Sequence, residues 1–376
     1  MKQVIVYNPE VESYTFGPEH PFRLDRGRLF LDKARKHGLL ADGQLLDAPP
    51  AGDNALLSFH SPEYVAALRK ADEGDPGAQF LDFGLGPMDN PVFPGLYRLS
   101  TLFAGTALTA CDLVCEGGAD TAFVPVGGFH HARRGRAGGF CYVSDLGIAM
   151  EQLLWRGLRL LYVDIDAHHG DGVQDAFYDN RQVLKISFHE TGRELFPFSG
   201  FESELGSRLG EGYNVNVPLD PLADDEVFLF LFKKIFPPLA ARFDPDVTIA
   251  QIGVDMHNTD PLTHLRLTNN GYAEAVRIIV QWSKKLIAFG GGGYNPDNIA
   301  KGYALAWALM NGRDPFTDGA GATLGGTFVG SSELDGLGSL LDMPLRISGP
   351  EKETAAQEAY RVHEYIRRNV FHRLGI

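Results

Sequence analysis

The sequence predicts an α/β protein built on a mostly parallel sheet flanked by helices. Three observations predict it. Short β-branched runs are apolar throughout instead of alternating, as strands covered on both faces are. Longer segments of helical pattern lie between them. The runs are followed by Gly, His, Asp and Tyr, and a parallel sheet collects its chemistry beyond the carboxyl ends of its strands.

In chain order, a first strand is expected at Val4–Tyr7, and Thr121–Val126, Leu158–Asp164, Val183–Phe188, Val247–Gly253 and Leu286–Phe289 have the same form. Helices are expected over Tyr97–Cys115, Ser144–Arg156, Asp224–Ala241, Gly271–Lys285 and Asn298–Asn311, with a C-terminal one over Glu351–His372. The Pro- and Gly-rich stretches Asp75–Pro94, Phe196–Gly212 and Asp318–Gly338 read as long loops, which in compact domains are functional or mobile. There is no internal repeat and no linker, so residues 1–376 are read as one domain.

At 376 residues and 44% hydrophobic content the chain can bury a large core, and 22% charged residues is ordinary for a globular protein. Its 34 basic and 48 acidic residues leave a net charge of −14, which argues against nucleic acid as a partner. Three cysteines form no disulfide framework and fit a reducing compartment. Cys111 and Cys115 share a helix face within an apolar run and read as core. MKQVIVYNPE lacks the features of a secretory leader. No window reaches about eighteen apolar residues, so no membrane span is expected and the location is read as cytoplasmic.

The chemistry follows four strands. TAFVPV leads into Gly127-Gly128-Phe129-His130-His131, LRLLYVD into Ile165-Asp166-Ala167-His168-His169-Gly170-Asp171, VTIAQIG into Val254-Asp255, and LIAF into four glycines and Tyr294. Asp164, Asp166 and His168 are spaced by two, and in an extended segment such side chains point the same way. Asp166 and His168 can then reach one metal ion, with Asp255 as the third ligand and one position open for water, the catalytic arrangement for zinc. Ferrous iron, cobalt or manganese would also suit two carboxylates and one imidazole. Asp164 and Asp171 remain as carboxylate partners for His130 and His131, and two such pairs beside a metal supply a general base and a general acid. The Tyr294 hydroxyl could donate to a developing oxyanion. Read alone, GGGGY is equally a tight turn; it lacks the Lys-Ser/Thr ending of a phosphate-binding loop. Arg133, Arg134 and Arg136 read as surface charges, and His37, His60 and His363 as surface or core residues.

The ordered set GGFHHA, GFCYVSDLGIAM, DIDAHHGDGVQDAFY, GVD and GGGGY closely resembles the histone deacetylase family, both the eukaryotic class I enzymes and the bacterial acetoin utilization proteins. The resemblance runs from His20 to Asn311. It implies the arginase/deacetylase fold, a single domain with a central sheet of about eight strands. It implies zinc on Asp166, His168 and Asp255, with His130, His131, Asp164, Asp171 and Tyr294 as the catalytic groups. Gly139, Phe140, Phe196 and Leu262 would line a tunnel for an acyl-lysine side chain, Asp89 would bind the substrate backbone at the rim, and Arg26 would lie in an inner cavity that releases acetate. A structural K+ or Na+ would sit on Asp164, Asp166, His168, Ser187 and Phe188, and a second on Phe177, Asn180, Val183 and Tyr213. His20, opening HPFR, is expected nearer the inner cavity. Met256, His257, His264 and Arg266 depart from the eukaryotic pattern and are expected near the pocket mouth.

The activity implied is removal of acetyl groups from lysine in proteins or peptides. Acetylpolyamines and other small acyl-amines are the alternative within the same chemistry, but no large insertion bearing acidic residues precedes His130. A ureohydrolase on the same fold needs Asp-Ala-His-x-Asp and a later Asp-x-Asp; here Gly170 and His257 stand where the second-metal carboxylates would be. A non-catalytic acetyl-lysine binder would lack a catalytic group, and all are present.

Overall fold

The computed structural model describes residues 2–73, 78–86, 88–317, 337–345 and 347–376. Its eight strands are β1 (Gln3–Val6), β2 (Leu45–Leu46), β3 (Thr121–Val124), β4 (Leu160–Asp164), β5 (Val183–Glu190), β6 (Asn214–Leu219), β7 (Val247–Gln251) and β8 (Leu286–Phe289). They form one sheet in the order β2-β1-β3-β8-β7-β4-β5-β6. Every pairing is parallel. From β3 to β8 every strand residue is buried, as expected for apolar strands covered on both faces.

The helices are α1 (Arg26–Lys36), α2 (Asp53–Leu57), α3 (Pro62–Asp72), α4 (Leu96–Cys115), α5 (Asp145–Trp155), α6 (Asp171–Ala176), α7 (Asp225–Phe243), α8 (Asn269–Gln281), α9 (Pro296–Met310) and α10 (Pro350–Ile366). One row, α1-α9-α8-α7-α10, packs in succession, and a second runs α3-α4-α5-α6. Their starts follow local chemistry. Ser144 accepts from Gly147 N at 3.0 Å to open α5, and Asn295 accepts from Asp297 N at 2.9 Å ahead of Pro296 to open α9.

All six strands and six helices expected from the sequence are present, with ends shifted by a few residues. β2, β6, α1, α2, α3 and α6 were not expected. β2 is two residues long, and the polar Asn214 and Asn216 break the apolar signal of β6. Within the expected loop Asp75–Pro94, a 3₁₀ helix spans Ala78–Phe83. Nearly all of Asp318–Gly338 lies outside the described residues. Cys111 is buried, and all three cysteines are free. No helix among the described residues is long and apolar enough to cross a membrane.

The sheet's four central strands, β3-β8-β7-β4, are the ones that lead into the His-, Asp- and Gly-rich segments. Backbone pairing continues past their ends. Gly290 N donates to Val124 O at 2.9 Å, Gly291 N to Gly127 O at 2.8 Å, Ile252 N to Phe289 O at 2.9 Å and Ile165 N to Gln251 O at 3.0 Å. The first of these loops is fastened by Asp145, which is fully buried at the start of α5. Its carboxylate accepts from Gly128 N and Phe129 N, each at 2.8 Å, immediately before the two histidines. Removing it strands two buried amide donors. Asp145→Ala is expected to cost about 2–4 kcal/mol of stability, read by denaturant unfolding.

Candidate active site

The loops that follow β4 and β7 bring Asp166, His168 and Asp255 together. All three are buried, and their ligand atoms lie within 4.8 Å of one another. His168 Nδ1 lies 2.9 Å from Asp255 Oδ2 and 3.2 Å from Asp166 Oδ1. The reason for the convergence differs from the one expected. β4 ends at Asp164, so Asp166 and His168 are not in extended chain. Two successive side-chain turns fold the segment instead: Asp166 N donates to Asp164 Oδ1 and His168 N to Asp166 Oδ1, both at 3.0 Å.

The backbone closes around these carboxylates. Gly292 N donates to Asp166 Oδ2 at 2.6 Å, and Ala167 N donates to Asp255 Oδ1 at 2.8 Å. Gln251, the last residue of β7, donates from its amide to Gly128 O at 2.8 Å and to Asp166 Oδ2 at 3.3 Å. A Cβ on Gly292 would lie 2.1 Å from Asp255 Oδ2 and 2.7 Å from Asp166 Oδ2, so only glycine fits. Burial and the charge of Asp166 push Asp255 up, the response of two carboxylates that share one site. Burial opposes a proton on His168, but Asp166 and Asp255 outweigh it. The donor set, its burial and the glycine cradle fit a metal ion.

The tandem histidines sit beside this cradle. His130 Nδ1 donates to Asp164 and His131 Nδ1 to Asp171, each at 2.8 Å, and the two Nε2 atoms are 3.1 Å apart. Asp164 also accepts from the Tyr162 hydroxyl at 2.5 Å. Burial and the neighbouring His130 push His131 down to about 4, against the pull of Asp171. Burial works against a proton on His130 too, but Asp164 and Asp166 lift it to about 9. Arg133 is more than a solvated charge: its guanidinium donates to Asp171 Oδ2 at 2.9 Å and pairs with Asp175 at 2.6 Å. Arg134 pairs with Glu151 and lies over the Phe59 ring.

Tyr294 is held by its backbone N–H, which donates to Asp260 Oδ2 at 2.8 Å. Its ring lies 6.2 Å from His168 and 5.8 Å from Phe140, both edge-on. Burial, with Asp255 and Asp166 nearby, pushes its hydroxyl well above the usual range, so it stays a proton donor. Phe196 lies edge-on to His131 at 5.0 Å. Gly139, at φ +51°, passes so close that a Cβ would stand 2.5 Å from His131 Cδ2 and 2.9 Å from Phe196 Cε1. Asp89, His131, Gly139, Asp171 and Phe196 line one cavity of about 350 Å³. Leu262 is partly buried, in the segment that follows Asp260.

Arg26 is fully buried and donates to Gly291 O, to Gly293 O at 3.0 Å and to Arg23 O at 2.9 Å. It therefore lies under the glycine loop that carries Tyr294. His20 is not in the interior with it. It is half-buried, its ring meets Phe140 at 4.7 Å, and its Nε2 lies 3.3 Å from the carbonyl oxygen of Asp89. Met256 and His257 are 2% exposed and belong to the core rather than the mouth. His257 donates to Val254 O at 2.7 Å. His264 is exposed and tied to buried Glu190 at 2.6 Å.

Of the first expected monovalent-cation set, Asp164 and Ser187 are register partners on β4 and β5. Several site supports were not foreseen. Among them are Asp145, Gln251 and Asp260; the one signal was Gln251, a polar residue ending an apolar strand. His169, Gln174 and Glu204 form a chain that runs from the interior to half-buried Glu204: His169 Nε2 lies 3.1 Å from Gln174 Oε1, and Gln174 Nε2 donates to Glu204 at 2.5 Å. Glu204 in turn accepts from Gly200 N and Phe201 N, pinning the loop that bears Phe196.

A parallel α/β sheet with a buried Asp-His-Asp metal cradle and two His–Asp pairs at its carboxyl edge is thus what the chain builds. Residues 20–310 match the model of the histone deacetylase domain. The chain is 41% identical over 320 residues to acetoin utilization protein AcuC of Bacillus subtilis, covering 83% of each. It is 39% identical to histone deacetylase 19 of Arabidopsis thaliana, over 78% of this chain and 59% of that one. A crystal structure of a histone deacetylase homologue complexed with SAHA superposes with a TM-score of 0.83 at 30% identity, covering 97% of this chain and 99% of the other. The homologue from Aquifex aeolicus gives 0.82 at 30% identity, covering 96% of this chain and 100% of the other. The chain belongs to the histone deacetylase family, and its fold is the arginase/deacetylase fold.

The cradle predicts a sharp steric test. Gly292→Ala drives a methyl group into both carboxylates and is expected to weaken zinc binding by roughly tenfold or more, read by calorimetric titration, with the circular dichroism of the fold retained.

Proposed function

We propose that this protein is a zinc-dependent amidohydrolase that removes the acetyl group from N-acetyl-lysine in proteins or peptides, with residues 1–376 acting as one catalytic domain in the cytoplasm. The observation that carries the reading is that His131, Asp171, Gly139, Phe196 and Asp89 line one cavity beside the buried Asp166-His168-Asp255 cradle. The AcuC and histone deacetylase relatives support deacetylation as the chemistry.

Asp166, His168 and Asp255 would hold the zinc; ferrous iron or cobalt would suit the same donors. When bound, zinc supplies Lewis acidity toward a carbonyl oxygen and toward water. His131, oriented by Asp171, removes the proton from the attacking water and returns it to the leaving amine nitrogen. His130, held by Asp164, contributes positive charge beside it. The Tyr294 hydroxyl donates to the acyl oxygen as negative charge builds there. Gly139, Phe140, Phe196 and Leu262 hold the lysine stem, Asp89 accepts from substrate backbone amides, and Arg26 assists departure of acetate. Asp164, Asp166, His168, Ser187 and Phe188 would hold a structural K+ or Na+ ion, which would stiffen the loop of metal ligands.

Acetate release from an acetyl-lysine peptide and from an acetylated polyamine tests this, using wild type and Asp166→Ala after zinc loading. Release from the peptide is expected, with loss in the variant and on chelation. Preference for the polyamine would move the substrate class, and no release from either with zinc bound would overturn the reading. Tyr294→Phe is expected to lower turnover on the order of 10²–10³-fold while metal binding is kept; unchanged turnover would remove Tyr294 from the mechanism.

A further inference from the structure

Lys185, the third residue of β5, is 3% exposed. Its ammonium meets no carboxylate at ion-pair distance among the described residues. Instead Nζ donates to Phe177 O at 2.7 Å and to Val183 O at 3.2 Å. A buried charge without a counter-ion is costly, and it persists where oxygens surround it as they would a metal ion.

These oxygens belong to the second monovalent-cation set expected from the sequence, and all four of its carbonyls are engaged. Phe177 O accepts from Lys185 Nζ and from Asn180 N at 3.2 Å. Asn180 O accepts from Val183 N at 3.4 Å, Val183 O from Lys185 Nζ, and Tyr213 O from Lys185 N at 3.0 Å. The residues do not fit a free ion as well as a lysine. Ammonium and potassium are close in size and are coordinated by carbonyl oxygens in the same manner.

We infer that the Lys185 side chain takes the place of a monovalent cation at the corner between α6 and β5, so that this second site needs no potassium. The tether joins the turn at Phe177 to Val183, the first residue of β5, and Lys185 itself stands two strand positions before Ser187 on the same face. Burial draws the amine down to about 7 with Asp179 opposing, and even a neutral amine keeps two N–H donors for the two carbonyls. The inference is independent of the deacetylase reading.

The test compares full-length wild type with Lys185→Thr, using thallium(I) as the potassium probe. The shorter β-branched side chain suits a strand and frees the Phe177 and Val183 carbonyls of the amine. Lys185→Thr is expected to bind one more thallium ion per chain than wild type, with its anomalous peak between the Phe177 and Val183 carbonyls. Its melting temperature is expected to rise by about 2–4 °C more than that of wild type when potassium replaces choline at constant ionic strength. Equal stoichiometry and equal potassium response would overturn the inference. If the variant does not fold, wild-type crystals soaked in thallium decide alone: a peak between those two carbonyls overturns it, and none there upholds it.

Discussion

Asp166 and Asp255 place two carboxylates, 1% and 0% exposed, against a single imidazole. Like charges so close in the interior repel, and their burial is tolerated only where donors converge on them. The surroundings answer that demand from three sides. Gly292 and Ala167 turn backbone N–H groups inward, and Gln251 reaches in from the end of β7. The remaining demand is for positive charge at the centre, which a divalent cation meets. The four-strand centre of the sheet follows from this constraint, since only neighbouring strands can deliver their loops to one point.

The same logic recurs at smaller scale. Asp145 satisfies the amides ahead of the tandem histidines, and Arg133 holds the carboxylate that holds His131. Glu204 pins the backbone behind Phe196. The tandem histidines and the Phe196 loop thus have buried or half-buried partners that fix their positions, and the precision of a site depends on such partners. At the corner behind β5 the demand is reversed: a cluster of carbonyl oxygens calls for positive charge, and Lys185 brings it from within the chain.

Most of the fold was legible because parallel strands write their burial into the sequence as uninterrupted apolar runs. β6 was not, because Asn214 and Asn216 turn inward to Gln174 Oε1, at 2.7 and 2.8 Å, and a polar residue satisfied by a distant partner looks like loop in one dimension. The ordered His, Asp and Tyr segments located the candidate site. The spacing of Asp164, Asp166 and His168 pointed to residues that do converge, but through another conformation: turns, not extended chain, bring them together. Met256 and His257, expected near the mouth, point inward instead, because the chain after Asp255 turns back into the core.

The central claim is that three side chains from two loops act as one metal cradle. Diffraction from zinc-loaded crystals, recorded on either side of the zinc absorption edge, tests it most directly. A single anomalous peak among Asp166, His168 and Asp255 is the predicted result. Zinc bound at another cluster, with that triad empty, would contradict it.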